Sequence, residues 1–283
     1  MPEHPGVQQL LERVRSPLSL PDSFVRVDAA VRSPVANARR IAEAISMDQA
    51  MAARVLRMAN SPLYGFSSRI DTIERAVTVI GTRQIRDLAL ASTVLSMCNG
   101  MLLPGVTSAA FWTHSFAVGS LSRMFAAVRR DPNPERYFLA GLLTTIGRLM
   151  LAQASPQLLE ECMQANTNSV LLHEAEEHRL GFHQAEVSAA LMRRWLFPDM
   201  LVHSVAGQYQ PALIHGNPMD AALIHCCSVM VTAVRIGCSG EKLALPLDEA
   251  AWDLLNADIA MVDPMLIEVA ATAESLCVAM EVS

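Results

Sequence analysis

The chain has 283 residues, enough for one large domain or two small ones with cores of their own. Hydrophobic residues make up 52% and charged residues 18%, which excludes intrinsic disorder. A formal charge of −6 argues against a general nucleic-acid binder, because neutralising phosphates takes a clustered excess of Lys and Arg. No run approaches the roughly 18 consecutive apolar residues of a spanning helix. Residues 1–20 place Glu3, Glu12, Arg13 and Arg15 where an export signal would be apolar, so a cytoplasmic protein without a membrane span is expected. The 6 cysteines form no CxxC pair and no zinc-ligand spacing, and read as small core residues of a reducing compartment.

Apolar residues recur at three- and four-residue spacing almost throughout, while strand-like alternation is hard to find, so the predicted fold class is all-α. Ser46 with Gln49 and Asp71 with Glu74 match the capping box. The first box opens a helix with Ala52, Val55, Leu56 and Ala59 on one face, which must stop at Asn60-Ser61-Pro62 because proline lacks the amide. A loop is expected over 61–70. Gly81 closes the next short helix, and Thr82 can cap a helix whose buried stripe is Ile85, Leu88, Ala89, Ser92 and Leu95. Pro104 and Gly105 then mark a boundary between two helical lobes, and the connection is too short for a mobile pair. Further helices are predicted over 109–130, 134–153, 156–166, 170–179, 182–196, 198–208, 218–236 and 264–280. Asn133, Ser155, Asn217 and Asp263 each precede a proline and are expected to cap. No repeat of fixed period emerges, and GxxxxGK[ST], GxGxxG, HExxH and GxSxG are absent.

Several stretches in order resemble the HDOD domain, an HD-related output domain of bacterial signalling proteins, over about residues 16–211. They are Ile45-Ser46-Met47-Asp48-Gln49-Ala50, Leu56-Arg57-Met58-Ala59-Asn60-Ser61 and Ile73-Glu74-Arg75-Ala76-Val77-Thr78-Val79-Ile80-Gly81 in the first lobe. In the second they are Phe111-Trp112-Thr113-His114-Ser115 and Phe138-Leu139-Ala140-Gly141-Leu142-Leu143. The resemblance implies two packed helical lobes, the second an HD-like bundle. The expected divisions are a helical extension over 1–16, lobes over 17–103 and 104–237, and a second extension over 238–283.

The resemblance also places the metal-binding His-Asp pair of HD phosphohydrolases where this chain has Thr144-Thr145, and it places later histidines where Val205 to Pro211 stand and a closing aspartate near Ser228. Hydroxyls supply neither the lone pairs nor the negative charge that such metals take. The expectation is therefore no enzyme and no cofactor, with a vestigial pocket of His114, Thr144, Thr145, His183, Gln208, Tyr209 and Ser228. Each has a structural reading beside that one: His114 as a hydrogen-bonded core residue, the threonines returning their hydroxyls to the helix, His183 paired with Glu186 on the surface. The arginine pairs Arg39-Arg40, Arg129-Arg130 and Arg193-Arg194 are too dispersed for a nucleic-acid stripe and read as solvated faces.

The function implied is a non-catalytic signal-transduction module contacting a regulatory protein, such as the output of a two-component response regulator. Asn60, Tyr64 and Arg86 are the candidate partner contacts. The alternative is a degenerate HD hydrolase still holding a nucleotide or other phosphorylated ligand in that pocket.

Overall fold

The computed structural model describes residues 4–14, 19–167, 169–214 and 217–280. The boundary expected at residues 16 and 17 lies outside them. Among the described residues every regular element is helical, and the one extended pairing is an isolated bridge between Leu103 and Val106. The all-α reading stands.

A first group of helices is α1 (Pro5–Arg13), α2 (Asp22–Arg32), α3 (Ala38–Ser46), α4 (Gln49–Ala59), α5 (Ile73–Ile80) and α6 (Thr82–Met97). After the turn around Gly105 come α7 (Ser108–Val128), α8 (Glu135–Leu143), α9 (Ile146–Ala154), α10 (Pro156–Ala165), α11 (Leu172–Leu180), α12 (Gln184–Arg194), α13 (Asp199–Ala206), α14 (Pro218–Ala233), α15 (Glu249–Leu255) and α16 (Val262–Ala279). Helices α2 to α6 pack on one another. Helix α7 is the axis of the rest, flanked by α8, α14 and α16. The two groups share one apolar core, since α6 packs on α8 and α16 lies against both α7 and α4. The chain's first helix does not stay with its neighbours: α1 packs on α9 and α12 and buries Val7, Leu10 and Leu11 there.

Helix starts follow the predicted chemistry with shifted residues. Helix α3 runs through Ser46, so that serine cannot cap α4; Asp48, in extended geometry, does so by accepting from the Met51 amide at 2.9 Å. Thr72, rather than Asp71, accepts from the Arg75 amide at 3.1 Å. Thr82 is the first residue of α6, with Gly81 at the cap position. Of the four residues expected to cap before proline, Asn217 does, accepting from the Met219 amide at 3.2 Å. Pro134 precedes α8 with no side-chain cap, Ser155 makes no capping bond, and Asp263 already lies inside α16. The stripe predicted for α6 is buried in full. On α4 the buried residues are Met51, Val55, Met58 and Ala59, while Ala52 and Leu56 are half-buried at the edge. Arg129 is exposed, as read, and its guanidinium also bonds the Leu254 and Leu255 carbonyls at the end of α15.

The continuous helix expected over 134–153 is broken at Thr144-Thr145. Residues 135–154 as a stretch are long and apolar enough to cross a membrane by composition, yet 83% of the most apolar window is buried in the protein core. Two close approaches set where that break falls. Gly119 of α7 meets Gly141 of α8 so tightly that a Cβ on Gly119 would stand 2.6 Å from the Phe138 carbonyl oxygen, and one on Gly141 would stand 2.6 Å from the Gly119 Cα. Gly147 does the same for α9 against the backbone of α12. Because backbone rather than a flexible side chain blocks the space, Gly119→Ala is expected to lower stability in urea by about 1–3 kcal/mol or more with the helical signal retained. Gly141→Ala should behave alike.

Candidate functional site

The break between α8 and α9 exposes backbone groups that a continuous helix would satisfy, and the site is built around them. Thr144 turns its hydroxyl back to the Gly141 carbonyl at 2.8 Å, the default predicted for a helical threonine. Its own carbonyl points away from the helix and accepts from Gln208 Nε2 at 2.9 Å and Ser188 Oγ at 3.4 Å. The Ser188 hydroxyl also accepts from the Gly147 amide at 2.8 Å, so it serves both helix ends. Thr145 meets Ser115 of α7, hydroxyl to hydroxyl, at 3.2 Å.

Beside these groups lies a fully buried charge that the sequence reading missed. Arg148, one turn into α9, donates from Nε to Glu176 of α11 at 2.9 Å and from Nη1 to the Ser239 carbonyl at 3.0 Å. Its Nη2 reaches the Tyr209 hydroxyl at 3.3 Å. The second oxygen of Glu176 accepts from the Gln184 amide at 2.9 Å, and Gln184 Nε2 donates to the Tyr209 hydroxyl at 2.7 Å. Both members of the pair are out of solvent. Burial works against the guanidinium's proton, but Glu176, then Tyr209 and Glu241, outweigh it and hold Arg148 above its ordinary range. Burial pushes the Tyr209 phenol up to about 12. One signal could have found Arg148: an arginine inside the otherwise apolar run Ile146 to Leu151 has no solvated face, so it must meet a carboxylate from elsewhere.

The expected pocket residues divide. Thr145, Gln208, Tyr209 and Ser228 do converge, with Arg148 among them, on a cavity of about 30 Å³. Thr144 contributes its carbonyl through the Gln208 bond. His114 is buried on α7 and faces a separate cavity beside Gly237 and Cys238. His183 stands on the far side of Tyr209, edge-on to its ring at 5.2 Å between centroids. One face of the Tyr209 ring is covered by His173, stacked at 4.0 Å and itself 6.1 Å from His183. His225, from the stretch ending at Ser228, accepts the Asp248 amide on Nε2 at 3.1 Å, which makes Nδ1 the donor to the Gln208 carbonyl at 2.8 Å.

The candidate contact residues are Asn60, exposed and lining a surface groove, and Tyr64 and Arg86, both half-buried; each makes contacts within the fold. Asn60 spends its side chain on the Leu56 carbonyl and on both the amide and carbonyl of Ile70, closing the loop over 61–70. Tyr64 lies under the Arg123 guanidinium, 4.9 Å from ring centre to Cζ. Arg86 is paired with Asp28 of α2 and with Asp87. Changing any of the three disturbs folding contacts. Outward-facing residues of the same region are Phe66 and Arg69, which border a groove closed on its other side by the end of α16.

The fold and this centre define a class: an all-helical domain whose HD-like bundle carries a neutralised ion pair among hydroxyls and amides. Residues 18–211 match the HDOD domain family model, and the chain belongs to that family. Its structure is similar to that of an HDOD domain protein with unknown function from Geobacter sulfurreducens, with a TM-score of 0.80, 21% identity, and coverage of 96% of this chain and 97% of that one. It is also similar to a protein from Shewanella amazonensis SB2B named a "Putative phosphohydrolase", with a TM-score of 0.77, 22% identity and 98% of both chains covered. A curated relative is an uncharacterized protein of Treponema pallidum, 23% identical over 201 residues; the match takes in 69% of this chain and 38% of that protein.

The HD relationship implies a metal centre, and the residues here do not fit one. Among the described residues no group of three or more His, Cys, Asp or Glu side chains is placed to hold a metal ion. The cavity lining includes Thr145, Gln208, Tyr209 and Ser228 together with one imidazole, His173, and one carboxylate, Glu241, and the guanidinium of Arg148 stands among them.

Two expectations follow. Arg148→Met leaves Glu176 buried and unpaired and should cost about 3–5 kcal/mol in urea unfolding, whereas Arg148→Met with Glu176→Leu should recover a large part of it. Burial first, then the charge of Arg148, depresses His114 to about 4, with an Ile236 main-chain hydrogen bond opposing. His173 is depressed to about 3 by burial, then His183 and Arg148, and burial lowers His225 as well. His114 and His173 bind protons only after unfolding between about pH 6.5 and pH 4, so stability should fall across that window as pH drops, by up to about 1.4 kcal/mol per pH unit for each. Asp87, raised by burial to about 6, works the other way and offsets one of the two. His114→Gln should make the decline of the urea midpoint measurably shallower.

Proposed function

We propose that this chain is a non-catalytic regulatory domain of a bacterial signalling system that acts by contacting another protein, as the output of a two-component regulator would. One observation carries the reading: the cation at the centre of the HD-like bundle is Arg148, already neutralised by Glu176 and hydrogen-bonded to Ser239 and Tyr209. Hydrolysis of a phosphoester needs a metal or another electrophile free to bind the phosphoryl oxygens, and an activated water. A guanidinium already committed to Glu176, Ser239 and Tyr209 has little left to offer a substrate.

The runner-up is a degenerate HD hydrolase that keeps a nucleotide-like ligand in the inner pocket. Space argues against it, because about 30 Å³ is the room of a single water, whereas small-molecule pockets run to roughly 300–1,000 Å³. Its support is the wording attached to the Shewanella relative, whose 22% identity carries fold alone.

Turnover and capture test the reading together. Protein purified without chelator and supplied with Mn²⁺, Fe²⁺ or Zn²⁺ should show no hydrolysis of bis(p-nitrophenyl) phosphate or cyclic dinucleotides above the rate of Arg148→Met. Thr144→Ala and Thr145→Ala should capture the same partner from cell extract as the parent chain, while Phe66→Ala with Arg69→Glu should lose it and stay folded. Metal-dependent turnover that disappears in His114→Ala would refute the proposal, as would capture that depends on the threonines alone.

A further inference from the structure

Outside the inner pocket, a cavity of about 210 Å³ lies between α1, α12, α13 and the turn at 211–214. Helix α12 supplies one wall. Glu186, Ala189 and Arg193 stand at i, i+3 and i+7, so they share a face, and the two charged ends are about 10 Å apart at 1.5 Å rise per residue. The small Ala189 between them leaves the space open. Val7 of α1 and Leu213 and Ile214 of the turn make the rest of the middle apolar.

The two ends carry unused polar groups. Arg193 has no ion-pair or hydrogen-bond partner among the described residues. At the other end His183 Nδ1 is buried without any hydrogen-bond partner, 3.9 Å from Glu186 Oε2 and so beyond hydrogen-bond reach of it. Glu186 already accepts the His183 amide with that same oxygen at 3.0 Å, which leaves Oε1 as a further acceptor at this end.

We propose that this cavity is a binding site for a small amino-acid-like molecule: a carboxylate at Arg193, an apolar spacer over Ala189, and an ammonium or amide donor at Glu186. The planar guanidinium suits a carboxylate bidentately, and an apolar body of the right length lets both ends bond at once. The site is independent of whether the inner pocket is inert. It is nevertheless in contact with it, because the Tyr209 ring that walls this cavity carries the hydroxyl bonded by Gln184 and Arg148.

The probe is 4-(aminomethyl)benzoate, with benzoate and benzylamine as its two halves, titrated into the full chain by NMR and calorimetry. The whole probe should saturate one site and each half should bind at least about tenfold more weakly. Arg193→Ala should weaken the whole probe about tenfold or more, reducing its affinity to that of benzylamine, with an unchanged melting temperature. Ala206→Phe, at a half-buried wall position, should abolish binding by filling the cavity. No saturable binding up to about 10 mM, or binding indifferent to both substitutions in folded protein, would overturn the proposal.

Discussion

A guanidinium with no route to water has to be answered from inside the protein, and the answer Arg148 receives ties together most of the second half of the chain. Its partners come from α11, from the segment after α14 and from the end of α13, three elements far apart in sequence. The desolvation of each charge alone would amount to several kcal/mol, so neither can be present without the other. The geometry then leaves little freedom. Glu176 must also bond the start of α12, Gln184 must bond Tyr209, and Tyr209 must stack on His173. A network satisfied to this degree favours one arrangement of helices over its neighbours.

The same network explains how an HD-like bundle can be held together by a buried cation of its own. In a metal centre the ligands would supply negative charge and the ion would hold several helices together. Here an organic cation occupies the middle, a carboxylate from α11 balances it, and neutral hydroxyls and amides fill the remaining valences.

The ends of the chain complete the fold in a way that local order conceals. Helix α1 crosses to α9 and α12, and α16 returns to α7 and α4, so residues near both termini cover faces that neighbouring helices leave open. The outer cavity is a consequence of the first of these crossings, since α1 roofs the stretch of α12 that carries Glu186, Ala189 and Arg193. Glycines allow the remaining close approaches. Gly119, Gly141 and Gly147 let backbones touch where any side chain would keep helices apart.

Periodicity determined the all-helical class and most helix positions, because the spacing of apolar residues is a local property that packing only has to accept. It also determined that α6 buries Ile85, Leu88, Ala89, Ser92 and Leu95. The ordered motifs around Ser46, Asn60, Gly81 and Trp112 carried the family, and Thr144-Thr145 carried the loss of the His-Asp pair. Capping residues were legible only to within a position or two, since Ser46 or Asp48, and Asp71 or Thr72, have the same chemistry and the winner depends on where the preceding segment stops. Tertiary structure alone decided that Arg148 meets Glu176, that His114 and His183 line other cavities than the one shared by Thr145 and Tyr209, and that Arg86 pairs with Asp28. Those pairings join residues from 28 to 91 positions apart around Arg148 alone. Sequence spacing carries no information about which buried donor will find which acceptor at that range; only the crossing of the helices does.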